Sequence, residues 1–216
     1  MQMELSSSAL PRGGGFPRAV RTSLALLVLI VGAYFVTQYA FHYLIVTEES
    51  YGRYWPQAGW LLAHVVFGIV AITIGPLQLW SRIRNRYRKF HRVAGRAYVI
   101  TILGGSIAAI AMTLIRDTGL AFRTGLFFLA VAWLTTTGMA FAAIRRRKIM
   151  LHREWMIRSY VVTFGFVTFR LVQDTVVDLG LASAGDMAAV MAWACWAVPL
   201  LVTEVVLQGR KIFAAA

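Results

Sequence analysis

The chain has 216 residues, 59% of them hydrophobic and 14% charged, a balance that excludes an ordinary soluble domain and predicts an integral membrane protein. A formal net charge of +13 would suit a nucleic-acid partner in a soluble protein, but 18 of the 22 Lys and Arg residues fall on one side of the predicted membrane. That asymmetry is the one expected of cytoplasmic loops, so topology accounts for the basicity and no nucleic-acid partner is expected.

Residues 1–18, rich in Gly, Ser and Pro, are expected to be a disordered cytoplasmic tail, with a six-helix domain over 19–210 and a second cytoplasmic tail over 211–216. Crossing a bilayer takes about 20 apolar helical residues, and six stretches qualify. The first, 20–46, is too long for a signal peptide and lacks a small-residue cleavage site, so it reads as an uncleaved helix. The loop 47–59 carries Glu48, Glu49 and a single cation, Arg53, with Tyr51, Tyr54, Trp55 and Trp60 at the depth of an aromatic belt, which marks the outer face. The second span, 60–80, descends to Arg82, Arg84, Arg86, Arg88, Lys89 and Arg92. The third, 93–115, offers Gly95, Gly104, Gly105, Ser106, Ala108 and Ala109 as small surfaces for close helix packing.

Arg116, Asp117, Thr118 and Gly119 make a short outer turn before the fourth span, 122–144, which runs into the basic turn 145–148. The fifth span covers 155–177. Ser183 and Asp186 then have the spacing of a capping box that starts the sixth span, ending near Gln208 before Arg210 and Lys211. The expected architecture is an all-α, polytopic bundle of six transmembrane helices with both termini cytoplasmic. The lone cysteine, Cys195, has no partner for an intramolecular disulfide.

Ionisable groups within a span cost roughly 2.5–3.5 kcal/mol near its centre, so those present should face the bundle interior. Arg170 and Asp174 stand four residues apart and are expected to neutralise each other, either as a structural ion pair or as part of a ligand face. Ser159, Thr163, Phe166, Arg170 and Gln173 share one stripe of the fifth span; His64, Gly68, Ala71, Gly75 and Gln78 share one of the second. Pro76 lacks a backbone donor, which should kink the second span and free the carbonyl of Ile72.

Depth counting places His42, His64, Arg170 and Asp174 in one outer layer. Two histidines at similar depth on different helices suit bis-imidazole haem ligation, with Arg170 meeting a propionate; each histidine near an interfacial helix end, hydrogen-bonded to a backbone carbonyl or a carboxylate, is the structural alternative. His91 and His152, followed by Arg92 and Arg153, form a cytoplasmic layer with Arg96 and Arg158. That layer is either a site for a cofactor, metal or anionic headgroup, or a basic collar against anionic lipid. Glu204 is expected to compensate Arg96 or Arg158. No hydrolytic or nucleotide-binding motif is present.

A hairpin occurs twice: a span, a basic turn, a His-Arg pair and a rising span, first through His91 and again through His152. It suggests a parallel duplication of helices two and three in four and five, with Arg96 five residues after His91 but Arg158 six after His152. His64 with Gly68, the run Gly75-Pro76-Leu77-Gln78-Leu79, the string from His91 to Tyr98, that from His152 to Ser159, and Thr168-Phe169-Arg170 together resemble a bacterial membrane family catalogued as domain of unknown function 2306. The resemblance implies the spans and a place in the bacterial inner membrane, and draws attention to His64, His91, His152 and Arg170. A weaker likeness to cytochrome b and ferric-reductase-like bundles implies haem b, although only His64 lies well inside a span and the four-ligand ladder of a two-haem protein is missing.

Two functional readings follow. One is a haem-binding electron-transfer protein or oxidoreductase subunit using a subset of His42, His64, His91 and His152. The other is a small transporter, sensor or assembly partner that binds an anion, lipid or helix at the His64, Arg170 and Asp174 face. Beyond the bilayer itself, the expected partners are anionic headgroups and a membrane protein or second copy of the chain.

Overall fold

The computed structural model describes residues 18–115 and 118–214. Residues 1–17 of the expected tail, Arg116 and Asp117 of the outer turn, and residues 215–216 lie outside them. Among the described residues the chain is helical, without strands, and six helical stretches are long and apolar enough to cross a membrane.

The first span begins as α1 (Arg18–Phe35) and then loosens into a π turn at Val36–Ala40 and a tight 3-10 turn at Phe41–Leu44. The π turn, closed by the Phe41 amide on the Val36 carbonyl, shifts the helical phase so that Val36 and Ala40 are buried while Tyr39 turns towards the bundle. Thr47 caps the short α2 (Glu48–Tyr51), its hydroxyl accepting from the Ser50 amide. Gly52, at φ +46°, then reverses the chain into a 3-10 turn, Gly52–Gln57. Trp55 and Trp60 are exposed, as an aromatic belt requires, but Tyr51 is buried and its hydroxyl donates to the Tyr43 carbonyl at 2.6 Å.

The remaining elements are α3 (Ala58–Leu79), α4 (Ser81–Arg86), α5 (Arg88–Ile115), α6 (Leu120–Arg145), α7 (Ile149–Thr163), α8 (Gly165–Asp178) and α9 (Ala184–Ala214). The last helix continues through residues 211–214, four of the six expected as a tail. Its start is capped by Ser183, whose hydroxyl accepts from the Asp186 amide and donates to the Asp186 carboxylate, closing the expected box in a modified form.

α5 and α6 occupy the centre, α3 packing along α5, and α7 and α9 along α6. The main core gathers Tyr98, Ile102, Trp133, Ala140, Tyr160 and Val162. Ile100, Leu103, Ile107, Val198 and Leu201 point outward, an apolar surface of the kind lipid covers. The small residues of α5 serve as expected: a Cβ at Gly104 would collide with the Phe67 ring, and one at Gly105 would press Trp133 at 3.2 Å.

Pro76 frees a carbonyl as expected. The Ile72 carbonyl, deprived of its i+4 amide, accepts a hydrogen bond from the Tyr160 hydroxyl at 3.2 Å. Gly75 makes this contact feasible, since a Cβ there would run into the Tyr160 ring.

The expected single fifth helix is interrupted at Phe164, where α7 ends and α8 begins. Thr163 returns its hydroxyl to the Ser159 carbonyl at 2.8 Å, a back-bond that bends helices, and Gly165 lies 3.3 Å, measured from an added Cβ, from the Trp196 side chain. The bend lets α8 lean on α9 while α7 stays on α6.

Gly75→Ala should cost about 1–3 kcal/mol through overpacking. Gly138→Ala, which meets nothing within 4 Å, should be neutral or slightly stabilising. Unfolding of both variants in detergent checks the contrast.

Candidate functional site

A cavity of about 360 Å³ opens between the end of the first span and α3, α5, α6 and the α7–α8 pair, in the half of the bundle nearest Thr47 and Gly119. Its volume lies at the lower end of the roughly 300–1,000 Å³ usual for small-molecule sites. The inner wall is apolar and aromatic, with Ile72, Leu129, Trp133 and Phe166. Tyr43, Tyr54, Gln57 and Arg123 lie towards the loops. His42, His64 and Arg170, placed in one layer by depth counting, all line it; among the described lining residues none is acidic.

His64 directs Nδ1 to the Gly105 carbonyl at 2.9 Å and stands edge-on to the Trp133 and Phe166 rings. The carbonyl makes Nδ1 the donor, and among the described residues Nε2 has no hydrogen-bond partner. Gly105 brings its backbone this close to α3 because it has no side chain. His42 is exposed, with Nε2 bonded to the Ser50 carbonyl at 2.8 Å.

The expected Arg170–Asp174 ion pair is not formed. Tyr39, carried in by the π turn, bridges the two: its hydroxyl donates to the Asp174 carboxylate at 2.6 Å, and its ring lies 5.9 Å beneath the Arg170 guanidinium. Arg170, which lines the cavity, therefore has no hydrogen-bond or ion-pair partner among the described residues. Arg123 likewise makes no hydrogen bond or ion pair among the described residues. Gln57 is 8% exposed and its amide oxygen has no partner; the Gln173 amide oxygen is also buried and unanswered, outside the cavity lining.

Below the cavity runs a buried network of hydroxyls. The Trp133 indole donates to Thr163 at 2.7 Å, Tyr98 bonds Thr163 at 2.7 Å and Ser159 at 3.0 Å, and Thr137 bonds Ser159 at 2.7 Å. Ser159 and Thr163 of α7 are thereby bonded to α5 and α6, which ties three helices together without charge.

The opposite end is basic. Arg158, 6% exposed, donates from Nε to Glu204 at 2.7 Å, lies over the Trp155 ring, and is 3.9 Å from Glu154, which also takes Lys211. Glu204 therefore compensates Arg158, while Arg96 and Arg92 are exposed. His152 anchors Nδ1 on the Ala140 carbonyl at 2.9 Å; His91 lies within electrostatic reach of it and has a buried Nδ1 without partner. Gln78 is buried against Gly95.

Arg123, Tyr39, Gln57 and the Tyr98–Trp133 network were not singled out from the sequence. Arg123 had a readable signal, because it continues the face of Leu126, Ala130 and Trp133 at helical spacing. Tyr39 had none, since a π turn follows neither helical nor strand periodicity.

Glu204→Ala should destabilise the protein by roughly 1–3 kcal/mol by leaving the buried Arg158 short of an acceptor. Glu204→Gln should recover part of the loss in the same unfolding measurement.

Compared with curated proteins and with solved structures, the chain matches none. A family model described as "Predicted membrane protein (DUF2306)" matches residues 61–207, a segment that holds His64, Arg123, Trp133, Arg170 and the hydroxyl network but begins after Tyr39 and His42. With that match over more than half its length, the chain belongs to the DUF2306 family of predicted membrane proteins.

Proposed function

We propose that this is a multi-pass protein of the bacterial inner membrane that binds an amphipathic anion in the cavity of its outer half, acting as a small transporter, sensor or assembly partner. One observation carries the reading. Arg123 and Arg170 both line the cavity, neither forms an ion pair among the described residues, and the wall behind them is aromatic and apolar. A carboxylate or phosphate would supply the missing countercharge while an apolar body covers Trp133 and Phe166. The unanswered amide oxygen of Gln57 favours a ligand that also carries a hydroxyl or amide donor.

In this reading the basic end, with Arg82 to Arg92 and Arg145 to Lys148, faces the cytoplasm together with both termini, and the cavity faces outward. Duplication of the hairpin is supported by His91 and His152, each the fourth residue of its helix in α5 and α7.

A second reading, haem binding, is favoured by His64. A ring that donates through Nδ1 to a carbonyl and keeps Nε2 free has the arrangement usual for a metal-bound histidine, and Arg123 and Arg170 suit propionates. The fit is to one haem with one protein ligand, because the His42 Nε2 is already bonded to Ser50.

Protein in lipid nanodiscs, titrated with laurate, dodecyl phosphate and dodecanol, separates the readings. Thermal stabilisation by the two anions but not the alcohol, weakened roughly ten- to a hundredfold in apparent affinity by Arg170→Gln or Arg123→Gln with folding intact, is the expected result. Equal responses to anion and alcohol, or variants that bind like the parent, would sink the anion site. An oxidised-minus-reduced visible spectrum after expression with haem available tests the second reading: a haem band lost in His64→Ala supports it, and no band removes it.

A further inference from the structure

A second set of unanswered donors lies at the basic end, away from the cavity. Gln78, in the last turn of α3 and 5% exposed, has an amide nitrogen with no partner; the Nε of Arg84 on α4 and the Nδ1 of His91 on α5 are buried and equally unanswered. Gln78 packs on Gly95, one turn along α5 from His91 and on the same face, so closely that a Cβ at Gly95 would stand 3.2 Å from its amide oxygen. Glycine at 95 thus leaves room for the amide on the face of α5 that carries His91.

These groups share one electrostatic neighbourhood. His91 is within reach of Arg84 and His152, and Arg84 of Arg153 on α7. Burial first, and the Arg153 charge second, hold the Arg84 guanidinium below its ordinary range. The nearby carboxylates are engaged elsewhere: Glu204 and Glu154 serve Arg158 and Lys211, and among the described residues neither Arg84, His91 nor Arg153 has an ion-pair partner. Like charges gathered around buried donors without an acid cost stability unless an anion joins them.

We infer that Gln78, Arg84, His91 and Arg153 form a binding site for a phosphate group. Phosphate offers several acceptor oxygens to a guanidinium fork, an imidazole N–H and an amide N–H at once. Trp80, Phe90 and Val93 are exposed beside these residues along the chain, an apolar flank on which the acyl chains of a phospholipid would lie. The same donors would also take a free phosphate or a soluble phosphate ester.

Native mass spectrometry after relipidation with equal phosphatidylglycerol and phosphatidylcholine tests the site. The parent protein should retain the anionic lipid in preference, and Arg84→Gln/Arg153→Gln should lower that preference roughly tenfold. Arg146→Gln/Arg147→Gln, which removes two exposed charges from the same end, should leave it unchanged. If the double variant fails to fold, Arg153→Gln alone, at an exposed position, carries the comparison. Stabilisation of the parent by millimolar inorganic phosphate, absent in the Arg84 and Arg153 variant and without lipid preference, would identify a soluble phosphate as the source. Equal loss in both double variants, or no response to either lipid or phosphate, would overturn the site and leave a diffuse basic collar.

Discussion

Within a hydrocarbon layer a polar group that the protein does not answer has no water to turn to, and the arrangement of this bundle follows from that constraint. Its clearest expression is the Ile72 carbonyl, freed by Pro76 and taken up by Tyr160 from a different helix. The bond fixes α3 against α7, and Gly75 provides the space for it. Trp133, Thr137, Tyr98, Ser159 and Thr163 extend the same logic with uncharged groups, so that the centre of the bundle is closed by hydroxyls and the charges are kept to its two ends.

The ends treat charge differently. At the α7–α9 seam, Arg158, Glu154, Glu204 and Lys211 balance one another's charge and act as a clamp, although one guanidinium nitrogen of Arg158, Nη1, is buried without a hydrogen bond. At the cavity, and in the cluster around His91, cations accumulate without ion-pairing acids among the described residues. A charge-balanced network needs no counter-ion from outside, whereas an uncompensated one gains by admitting an anion. The contrast within one molecule is what gives the cavity and the phosphate site their meaning, and it locates them on opposite sides of the proposed membrane.

His64 shows how one residue supports two chemistries. Its Nδ1 bond to Gly105 positions the ring in the wall of a cavity shared with arginines and aromatic rings. A ligand oxygen and a metal are both served by that geometry, and the surrounding cations favour a negatively charged partner in either case. Tyr39 adds a control on the charge: by drawing Asp174 away from Arg170, it leaves the arginine available.

The number of spans, the basic asymmetry, the inward stripes of α3 and of the α7–α8 pair, and the carbonyl freed by Pro76 were legible in the chain, because length, charge and 3.6-residue periodicity are local properties. Depth along the spans placed His64 and Arg170 in one layer. The partner of each polar group was not legible, since it depends on which helix lies opposite and at what height. Arg170 chose a tyrosine ring over the carboxylate four residues away because a π turn in the first span delivered Tyr39, and α7 parted from α8 where the Thr163 back-bond to Ser159 is joined by the close approach of Gly165 to Trp196, distant in sequence. Local pattern sets which faces turn inward; contact between distant segments settles which groups are satisfied and which remain open to a ligand.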